Sequence, residues 1–388
     1  MKYLREAPMD RATEIGLLEE LVGLRMAKSL FLDDSVTTSP VQRYTCPDRF
    51  TKERTVLFRG LPVIAAHRSE LAAPNDFLTR EIAGLPVLMT RDAVGDVRAF
   101  LNVCRHRGTR LVNDETGCLK RFTCPYHAWT WNNRGDLQGI PHGTQGFPNL
   151  EKETLGLKRL GCTEAYGWIW VQADTDQAPD IDVYLGELAA DMAWLNAADL
   201  KIAHCSEWVR TVNWKILIEG GIEAYHFRIA HRDTIGRFFQ DNLSSYQVFG
   251  CHLRSILPRM SLDAMMQRPR ESWRLRRDAN LVYSIFPTSQ LLVQEDHIVW
   301  VHETPRAADQ TRIRLLTLVP VSNRKTADHW SKNHDITVRT LSEDFDIAES
   351  IQSGLPSGAN DVLRFGRFEG ALHQFNGIVE RHLDQAQT

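Results

Sequence analysis

The sequence predicts an α+β protein with an all-β domain followed by a mixed domain, and two observations support this class. Short apolar runs separated by turn residues fill residues 45–175, a texture typical of an all-β domain. Beyond them, strand-like and helix-like runs mix, and the chain closes on a long helical region that starts at about residue 324. With 388 residues, the chain is long enough to form two hydrophobic cores.

The composition favours a small-molecule enzyme. A net charge of −3 gives no general electrostatic reason to bind nucleic acid or an anionic membrane. Seven cysteines in so long a chain do not resemble a secreted disulfide framework, and the start MKYLREAPMD lacks an apolar signal core. There is also no run of 18 apolar residues. We therefore expect a cytoplasmic protein that binds neither nucleic acid nor membranes.

The first 44 residues are predicted to be a helical segment. Leu17, Leu18 and Leu21 recur at helical spacing behind Asp10, a residue type that caps helix N-termini. This amphipathic helix is expected to pack against the C-terminal domain. A second short helix is predicted to run through residues 50–58, at the start of the β domain.

The boundary between the two domains is predicted near residue 175. The segment from there begins DTDQAPDIDVYL, which is acidic and contains proline before it turns helical, as expected at a domain boundary. The predicted organisation is therefore a helical segment at 1–44, an all-β domain at 45–175 and a mixed domain at 176–388.

The β domain contains four potential metal ligands in two short loops. The stretch NVCRHRGTRLVNDETGCLKRFTCPYHAWTW offers Cys104 and His106 and then, after seventeen intervening residues, Cys124 and His127. Two cysteines and two histidines are the ligand set of a Rieske [2Fe-2S] cluster, in which two histidines replace two cysteines on one iron. A Cys2His2 zinc site is the alternative, although zinc modules usually pair cysteine with cysteine and histidine with histidine. Here each loop instead pairs one cysteine with one histidine.

A second group of chemically active residues lies in NWKILIEGGIEAYHFRIAHRDT. Glu223 and His226 share a helix face, whereas His226 and His231 would point about 140° apart on an ideal helix. The two histidines can converge only if the helix ends or distorts, which Gly220 and Gly221 just before them favour. Two unrelated histidines remain the alternative.

The third candidate metal ligand is Asp344, in LSEDFDIAESIQSGL. It falls on the apolar stripe of a predicted helix, whereas Asp346 and Glu343 fall on the polar face. Because a buried carboxylate without a partner is costly, an inward aspartate indicates a bound cation or an arginine. Two histidines with one carboxylate form the facial triad of non-haem iron, and the carboxylate is either Asp344 or Glu223. A salt-bridged structural aspartate is the alternative.

Together these motifs resemble the α subunit of a Rieske non-haem iron aromatic-ring-hydroxylating oxygenase, from about residue 44 to residue 384. The resemblance is carried by CPYHAWTW, the NWK opening, E-x-x-H-x(4)-H, FPTSQLLVQEDH and the late E-D-x(4)-E. It assigns three sets of residues: cluster ligands Cys104, His106, Cys124 and His127; iron ligands His226, His231 and Asp344; and, beside the iron, Glu223 and Asn213. In the family, the acidic residue matched by Glu223 bridges a cluster histidine to an iron histidine.

Two positions depart from the family pattern. Ala128 stands where CPYHGW is usual, which affects packing beside the cluster without removing a ligand. Glu223 stands where many ring dioxygenases have aspartate, and relatives that oxidise quaternary amines also use glutamate.

The resemblance also implies a fold, an activity and partners. The fold is a Rieske β domain and a helix-grip (Bet v1-like or START-like) domain, with an antiparallel sheet curled around a long C-terminal helix. The activity is O2-dependent hydroxylation of a small, aromatic substrate at a mononuclear Fe(II), with subunits in head-to-tail homotrimers. Because no GxGxxG follows a strand, electrons from NAD(P)H are expected to arrive through a separate reductase or ferredoxin.

Three alternative functions stay open. The chain could be an oxidative N- or O-demethylase of an alkylamine or quaternary ammonium compound, a Rieske electron carrier with a ligand-binding domain, or a zinc-stabilised scaffold. Several side chains could contact a substrate, although ordinary core or surface positions are their alternative. These are Phe238, Phe239, Phe249, Tyr283, Phe286, Arg228 and Arg254.

Overall fold

The computed structural model describes residues 9–322 and 324–386. Two compact units are present. Phe58–Tyr184 form the first, called here the β unit, and the described residues before and after it form the second, the mixed unit. The α+β class and the antiparallel sheets are confirmed.

The β unit is built on two antiparallel sheets. The seven strands of the larger sheet are, in spatial order, Val63–His67, Trp168–Gln172, Arg159–Ala165, Val97–Leu101, Leu85–Arg91, Asp76–Ile82 and Thr116–Cys118. The smaller sheet comprises Arg121–Thr123, Thr130–Asn132 and Leu137–Gly139. Short helical turns are Arg68–Leu71, Gly143–Gly146 and Lys152–Leu155. The core below the metal loops is aromatic, with Phe77, Phe100, Phe122 and Trp131 buried beside Cys104 and Cys124.

The mixed unit contains a seven-stranded antiparallel sheet. Its strands are, in spatial order, Leu200–Arg210, Gln310–Pro320, Ile298–Ala307, Ser289–Val293, Ala279–Ile285, His252–Pro258 and Ser245–Phe249. A two-stranded ribbon pairs Thr37–Pro40 with Val362–Phe365. The helices are Arg11–Ala27, Gln42–Thr45, Pro47–Glu53, Leu188–Leu195, Trp214–Gly221, Phe227–Ala230, Leu262–Met265, Leu275–Asp278, Ala327–Gly354 and Gly370–Gln385. Helical turns at the joins with the β unit are Arg54–Arg59 and Ile181–Leu185, and shorter 3-10 turns are Ala197–Asp199, Gly236–Phe238, Arg270–Ser272, Leu355–Ser357 and Arg367–Glu369.

The helix Ala327–Gly354, called the long helix, packs on the sheet of the mixed unit. Its N-cap Thr326 accepts a hydrogen bond from the backbone N–H of His329 at 3.2 Å. Phe345 and Ala348 project from it into a cluster with Val299 and Leu315 of the sheet. The same face carries Asp344, so burial of the apolar stripe fixes the position of that carboxylate.

The N-terminal helix Arg11–Ala27 begins as its sequence predicts. The Asp10 side chain accepts from the backbone N–H of Thr13 at 2.8 Å, and the predicted leucines at 17, 18 and 21 are buried. The helix belongs to the mixed unit, where its Glu14 accepts a hydrogen bond from Nε1 of Trp194 at 3.0 Å.

The boundaries of the β unit differ from the predicted 45–175. Residues 45–57 are largely helical and belong to the mixed unit. The reason is Glu53, whose buried carboxylate accepts hydrogen bonds from Nε1 of Trp214 at 2.9 Å and from Nζ of Lys215 at 2.7 Å. A buried glutamate needs such partners, and the mixed unit supplies them. The β unit also continues to Tyr184, past the predicted end at 175.

Within the described residues, none of the helices combines the length and the apolar character required to cross a membrane.

Candidate metal centres and cavities

The first metal loop of the β unit is a tight turn closed by two backbone hydrogen bonds. The N–H of Cys104 donates to the carbonyl of Thr109 at 2.8 Å, and the N–H of Gly108 donates to the carbonyl of Cys104 at 3.0 Å. Gly108 has a φ of +80°, a left-handed conformation that glycine adopts without strain. The loop therefore holds Cys104 and His106 at its tip.

The second loop repeats this geometry with one difference. The N–H of Cys124 donates to the carbonyl of Trp129 at 2.8 Å, and the N–H of Ala128 donates to the carbonyl of Cys124 at 3.0 Å. Ala128 has a φ of +57°. An alanine thus occupies the left-handed position that the first loop gives to glycine, at a cost on the order of 1 kcal/mol.

The side chains of the two loops meet. The rings of His106 and His127 lie 4.7 Å apart between centroids, and Cys104 and Cys124 are buried. Nδ1 of each histidine is buried without a hydrogen-bond partner among the described residues. Such an orphaned nitrogen is costly unless something binds it. The pair of free Nδ1 atoms beside two thiols fits a Rieske cluster.

The surroundings of the loop side chains shift their acidity in different directions. Burial lowers the pKa of His106, and the nearby His127 and Arg107 lower it further, so its imidazole is neutral near pH 7. Burial raises the pKa of the Cys104 thiol. Burial also acts to raise the pKa of Cys124, but hydrogen bonds from backbone N–H groups outweigh it and leave that pKa lowered. Because a neutral imidazole and a thiolate are the forms that bind metal, the shifts at His106 and Cys124 favour binding, whereas at Cys104 a metal ion would have to displace the proton.

The second centre is a triad in the mixed unit. Nε2 of His226 and Nε2 of His231 lie 3.1 Å apart. Oδ1 of Asp344 lies 3.4 Å from the first nitrogen and 2.9 Å from the second. Their potential ligand atoms all lie within 4.8 Å of one another. Two imidazoles and one carboxylate converging on one point form the donor set of a facial triad.

The convergence of the two histidines depends on a break in the helix. The helix Trp214–Gly221 ends, and a four-residue helix, Phe227–Ala230, follows with His226 at its N-cap and His231 at its C-cap. At Gly236, a Cβ atom would lie 2.7 Å from the carbonyl oxygen of Phe227 and 2.9 Å from that of His231. The end of the first helix at Gly221 and the start of the second at Phe227 are the irregular geometry that was expected after Gly220 and Gly221.

Two glutamates hold the outer nitrogens of the triad histidines. Nδ1 of His226 is hydrogen-bonded to Oε1 of Glu223, and Nδ1 of His231 is 2.8 Å from Oε2 of Glu343. Thr234 donates its hydroxyl to the same oxygen of Glu343 at 2.7 Å. Carboxylates at this position fix the ring orientation and direct Nε2 towards the metal.

The charge of this site fits a cation. Burial acts to lower the pKa of His226, but hydrogen bonds and charges from Asp344 and Glu223 outweigh it and raise that pKa to about 10. The pKa of His231 is raised in the same way, by Asp344 and Glu343. Burial acts to raise the pKa of Asp344, yet its contacts with the two histidines lower it. Three carboxylates around two imidazoles form a site with surplus negative charge, which a metal ion would balance.

Three predicted residues take other positions. Asn213 caps the helix Trp214–Gly221 and donates from Nδ2 to the carbonyls of Tyr44 at 3.0 Å and Ala308 at 2.6 Å. Its place near the iron stays a prediction. Arg254 is buried against Asp191, and Arg228 is exposed and pairs with Asp241.

The prediction that Asp346 and Glu343 both lie on the polar face of the long helix is partly wrong. Asp346 is exposed, at 72% of its side chain, and pairs with Arg210 at 3.2 Å. Glu343 instead turns towards His231. Its contact partner is more than a hundred residues away in sequence, so helical periodicity gave no signal for it.

Two cavities flank the triad. The larger, of about 680 Å³, is lined by Phe227, Phe238 and Phe239. The other aromatic candidates, Phe249, Tyr283 and Phe286, do not line it. The smaller, of about 360 Å³, is lined by His226 and Asp344 themselves. The ring of Phe227 lies 4.9 Å from the ring of His226 and 5.5 Å from that of His231, so the larger cavity approaches the triad through this side chain.

Two models of known sequence families match this chain and identify its family. Residues 62–155 match the Rieske [2Fe-2S] domain, and residues 192–385, half of the chain, match the family described as ring hydroxylating alpha subunit (catalytic domain). The chain belongs to this family. The cofactors of this alpha subunit are accordingly a Rieske [2Fe-2S] cluster and a mononuclear iron.

Curated relatives include both monooxygenases and dioxygenases. The oxygenase subunit of carnitine monooxygenase from Acinetobacter pittii is 26% identical, over 90% of this alpha subunit and 95% of the relative. The alpha subunit of chlorobenzene dioxygenase from Cupriavidus sp. is 32% identical, over 52% of this chain and 46% of the relative. Glycine betaine monooxygenase from Pseudomonas aeruginosa is 34% identical, over 58% and 53%. The match thus spans about half the length of the last two.

Solved structures share the fold. A quaternary ammonium Rieske monooxygenase superposes with a TM-score of 0.79 at 24% identity, covering 89% of this alpha subunit and 95% of that chain. Naphthalene 1,2-dioxygenase from Rhodococcus sp. superposes with a TM-score of 0.75 at 18% identity, covering 96% and 98%.

Proposed function

We propose that this alpha subunit is the terminal oxygenase component of a Rieske-type system, which uses O2 to mono- or dioxygenate a small, aromatic substrate. The observation that carries the proposal is the convergence of His226, His231 and Asp344 in a chain that also bears a Rieske domain. Electrons come from NAD(P)H through a separate reductase or ferredoxin. The protein works in the cytoplasm and binds neither nucleic acid nor membranes.

Each side chain has a place in this proposal. Cys104 and Cys124 would hold one iron of the cluster, and His106 and His127 would hold the other through their free Nδ1 atoms. His226, His231 and Asp344 would hold the mononuclear iron. When bound, the two metal centres supply the electron transfer and the oxygen activation.

The protein orients these groups and controls what reaches them. Glu223 and Glu343 accept from the outer nitrogens Nδ1 of the histidines and aim both Nε2 atoms at one point, where a bound metal ion would take the place of their protons. The ring of Phe227 packs against both imidazoles and limits the entry of water from the larger cavity. That cavity holds the substrate beside the triad.

We also propose a head-to-tail homotrimer, in which the cluster of one subunit lies beside the mononuclear iron of the next and Glu223 bridges the two centres. The resemblance supports this arrangement. A solved relative with a TM-score of 0.76 is described as showing inter-subunit electron transfer. Its identity of 23% limits that support to the shared fold.

Metal analysis tests the proposal. An oxygenase contains about three irons and two sulfides per chain with a Rieske visible spectrum, an electron carrier about two irons, and a zinc scaffold none. Two irons per chain after anaerobic reconstitution with excess Fe(II) would contradict the oxygenase assignment.

A second candidate function is the oxidation of a quaternary ammonium compound. It is favoured by Glu223 in place of aspartate and by the near full-length match to a carnitine monooxygenase subunit. Glu219, Glu303 and Glu369 also line the smaller cavity next to His226. Burial raises the pKa of all three carboxyl groups, and a cation that enters the cavity would favour their charged forms. Reductase-coupled O2 uptake distinguishes the two, because it rises with glycine betaine for this function and with aromatic compounds for the first.

A further inference from the structure

The larger cavity of the mixed unit has an unusual charge for this protein. The whole chain carries a net charge of −3, yet four arginines and a single aspartate line the cavity, together with a wall of aromatic and aliphatic side chains. A basic end in an apolar cavity is the arrangement that binds an amphiphilic anion, since apolar surface gives affinity and a few polar groups give orientation.

The aspartate neutralises part of this charge. Asp278 is buried and pairs with Arg268 at 2.7 Å and with Arg277 at 3.1 Å. These arginines therefore have a structural partner. A third, Arg237, is exposed at the cavity mouth and lies over the ring of Phe238.

Arg259 is different because only neutral groups hold its guanidinium. Its Nε donates to Oδ1 of Asn280 at 2.8 Å, and its Nη2 donates to Oε1 of Gln294 at 3.2 Å. Asn280 in turn donates to the same oxygen of Gln294 at 2.9 Å, which locks the three side chains together. Among the described residues, no carboxylate lies within ion-pair distance of Arg259.

The environment of Arg259 is poorly solvated. Burial lowers its pKa, and the more distant acidic groups of Glu295, Asp278 and Asp296 only partly oppose that effect. A partly buried guanidinium without a counterion is unfavourable, and a carboxylate that enters the cavity would relieve this cost. Arginine suits that role because its planar fork binds carboxylates through paired hydrogen bonds.

The cavity also connects Arg259 with the iron site. Phe227, which lines the cavity, contacts both triad histidines. Leu341 lines both cavities and lies one helical turn before Asp344 on the long helix. A ligand anchored at Arg259 would extend along Phe239 and Leu292, which pack in one cluster with Phe227, towards the triad.

We propose that Arg259, positioned by Asn280 and Gln294, binds the carboxylate of the substrate, so that this alpha subunit acts on an apolar carboxylic acid rather than on a neutral hydrocarbon. The inference rests on the proposed oxygenase function and names its substrate class. Arg259 is a specificity-determining residue, and the apolar wall that ends at Phe227 presents the far end of the molecule to the iron.

The test uses two probes of equal shape, naphthalene-2-carboxylate and naphthalene-2-carboxamide. Their affinities are measured by calorimetry on the purified holoprotein under nitrogen, together with its iron content. We expect the carboxylate to bind about 10- to 100-fold more tightly than the amide, because hydrogen bonds to charged groups are the stronger ones. Arg259→Met should remove this preference and leave binding of the amide unchanged.

Two further variants serve as controls. Arg228→Met removes an exposed arginine of the same unit that lies outside the cavity wall and pairs with Asp241, and it should keep the full preference. Arg259→Lys keeps the charge but not the fork, and it should bind the carboxylate with intermediate affinity. The probe pair tests the substrate class in the unaltered protein without any variant, and the two substitutions at residue 259 assign the preference to Arg259.

Several results would overturn the proposal: equal affinity of the unaltered protein for both probes, binding of neither, or an equal loss of both affinities in Arg259→Met. The iron analysis separates this failure from failure of the proposed function. A protein with about three irons that ignores the carboxylate refutes the substrate class alone, whereas a protein with about two irons that prefers it refutes the oxygenase assignment alone.

Discussion

At the scale of single residues, the proposed iron site depends on the difference between two aspartates on the same helix. Asp344 lies 2.9 Å from Nε2 of His231, whereas Asp346, half a turn later, is exposed and pairs with Arg210. The direction of each side chain, set by the buried apolar stripe of the long helix, decides which carboxylate meets the histidines.

Asp344→Ala should lose the mononuclear iron and oxygenase activity while it keeps the cluster spectrum, because a triad without its carboxylate holds the metal by two imidazoles alone. Iron content should fall from about three to about two per chain. Asp346→Ala is the matched control and should change stability by less than about 0.5 kcal/mol and iron content not at all. Equal iron loss in both variants would contradict the ligand assignment.

Glu343→Gln should weaken iron binding without removing a ligand. The variant loses a charged acceptor for Nδ1 of His231, and loss of such an outer partner typically lowers metal affinity by about 10- to 100-fold. The measurement is a titration with an iron chelator that monitors the mononuclear iron alone. Glu349→Gln, on the same helix but paired with Arg210, should release iron at the concentration seen for the unaltered protein.

How far the sequence predicts a site depends on how local its contacts are. The proposed loop ligands Cys104, His106, Cys124 and His127 lie in two short, similar loops, so spacing alone groups them. Glu343 and Arg259 escaped prediction because their partners, His231 and Gln294, come from other elements. The backbone contacts of Asn213 were not predicted either, because a sequence match carries no information on which way its amide points.

At the scale of elements, the site is made by the end of one helix and the short helix that follows. Gly220 and Gly221 end the helix Trp214–Gly221, and the sequence predicted irregular geometry there. Which glycine is indispensable could not be predicted, because the constraint comes from Gln290 on a strand of the sheet. The start of the β unit was likewise placed too early, at residue 45, because the helices at residues 42–59 are held by contacts distant in sequence.

Gly221→Ala should destabilise the mixed unit, whereas Gly220→Ala should not. A Cβ at Gly221 would overlap the side chain of Gln290, which is buried and donates to the carbonyl of Ile218 at 2.9 Å. Overpacking of this kind costs about 1–3 kcal/mol. At Gly220 there is open space around the Cβ position, so alanine should be neutral or stabilise the helix by up to about 1 kcal/mol. Urea unfolding curves measure both.

The helix Trp214–Gly221 also brings a pH dependence to the mixed unit through Glu219. This carboxyl group accepts hydrogen bonds from Tyr44 at 2.7 Å and Asn376 at 2.8 Å, yet burial raises its pKa from 4.5 to about 7. A pKa raised in the folded state adds stability that is complete below pH 4.5 and is lost as the pH rises through about 7.

The unaltered protein should therefore carry a stability loss on the order of 2–3 kcal/mol between about pH 4.5 and pH 8 that Glu219→Gln lacks. The amide keeps an oxygen for Tyr44 and carries no charge. The difference between the unfolding free energies of the two proteins, measured across this range, isolates the contribution of Glu219. A difference that does not vary with pH would show that the carboxyl group titrates normally.

At the scale of the whole molecule, the proposed trimer makes a prediction about mixed oligomers. A subunit without its cluster, Cys104→Ser, and a subunit without its mononuclear iron, His226→Ala, are each inactive. If electrons pass between subunits, some contacts in a mixed oligomer pair an intact cluster with an intact iron, and activity returns.

The measurement is substrate-dependent O2 uptake by oligomers that carry both variants, isolated through two different affinity tags. For a closed ring of three subunits, we expect activity well above that of either parent, at roughly a third of the unaltered level, since every mixed ring has one productive contact among three. Background activity would exclude transfer between subunits. A ring of unaltered subunits carrying both tags gives the reference value.

The β unit interrupts the mixed unit in sequence, and this has a consequence for synthesis on the ribosome. All strands of the β unit emerge before Leu185, so its core can close while translation continues. Packing of the first 57 residues is completed later: Glu53 can form its ion pair with Lys215 only after 162 further residues have been synthesised. During that interval the leucines of the N-terminal helix and a carboxylate destined for burial stay exposed, so the nascent chain most needs chaperone protection at its oldest end.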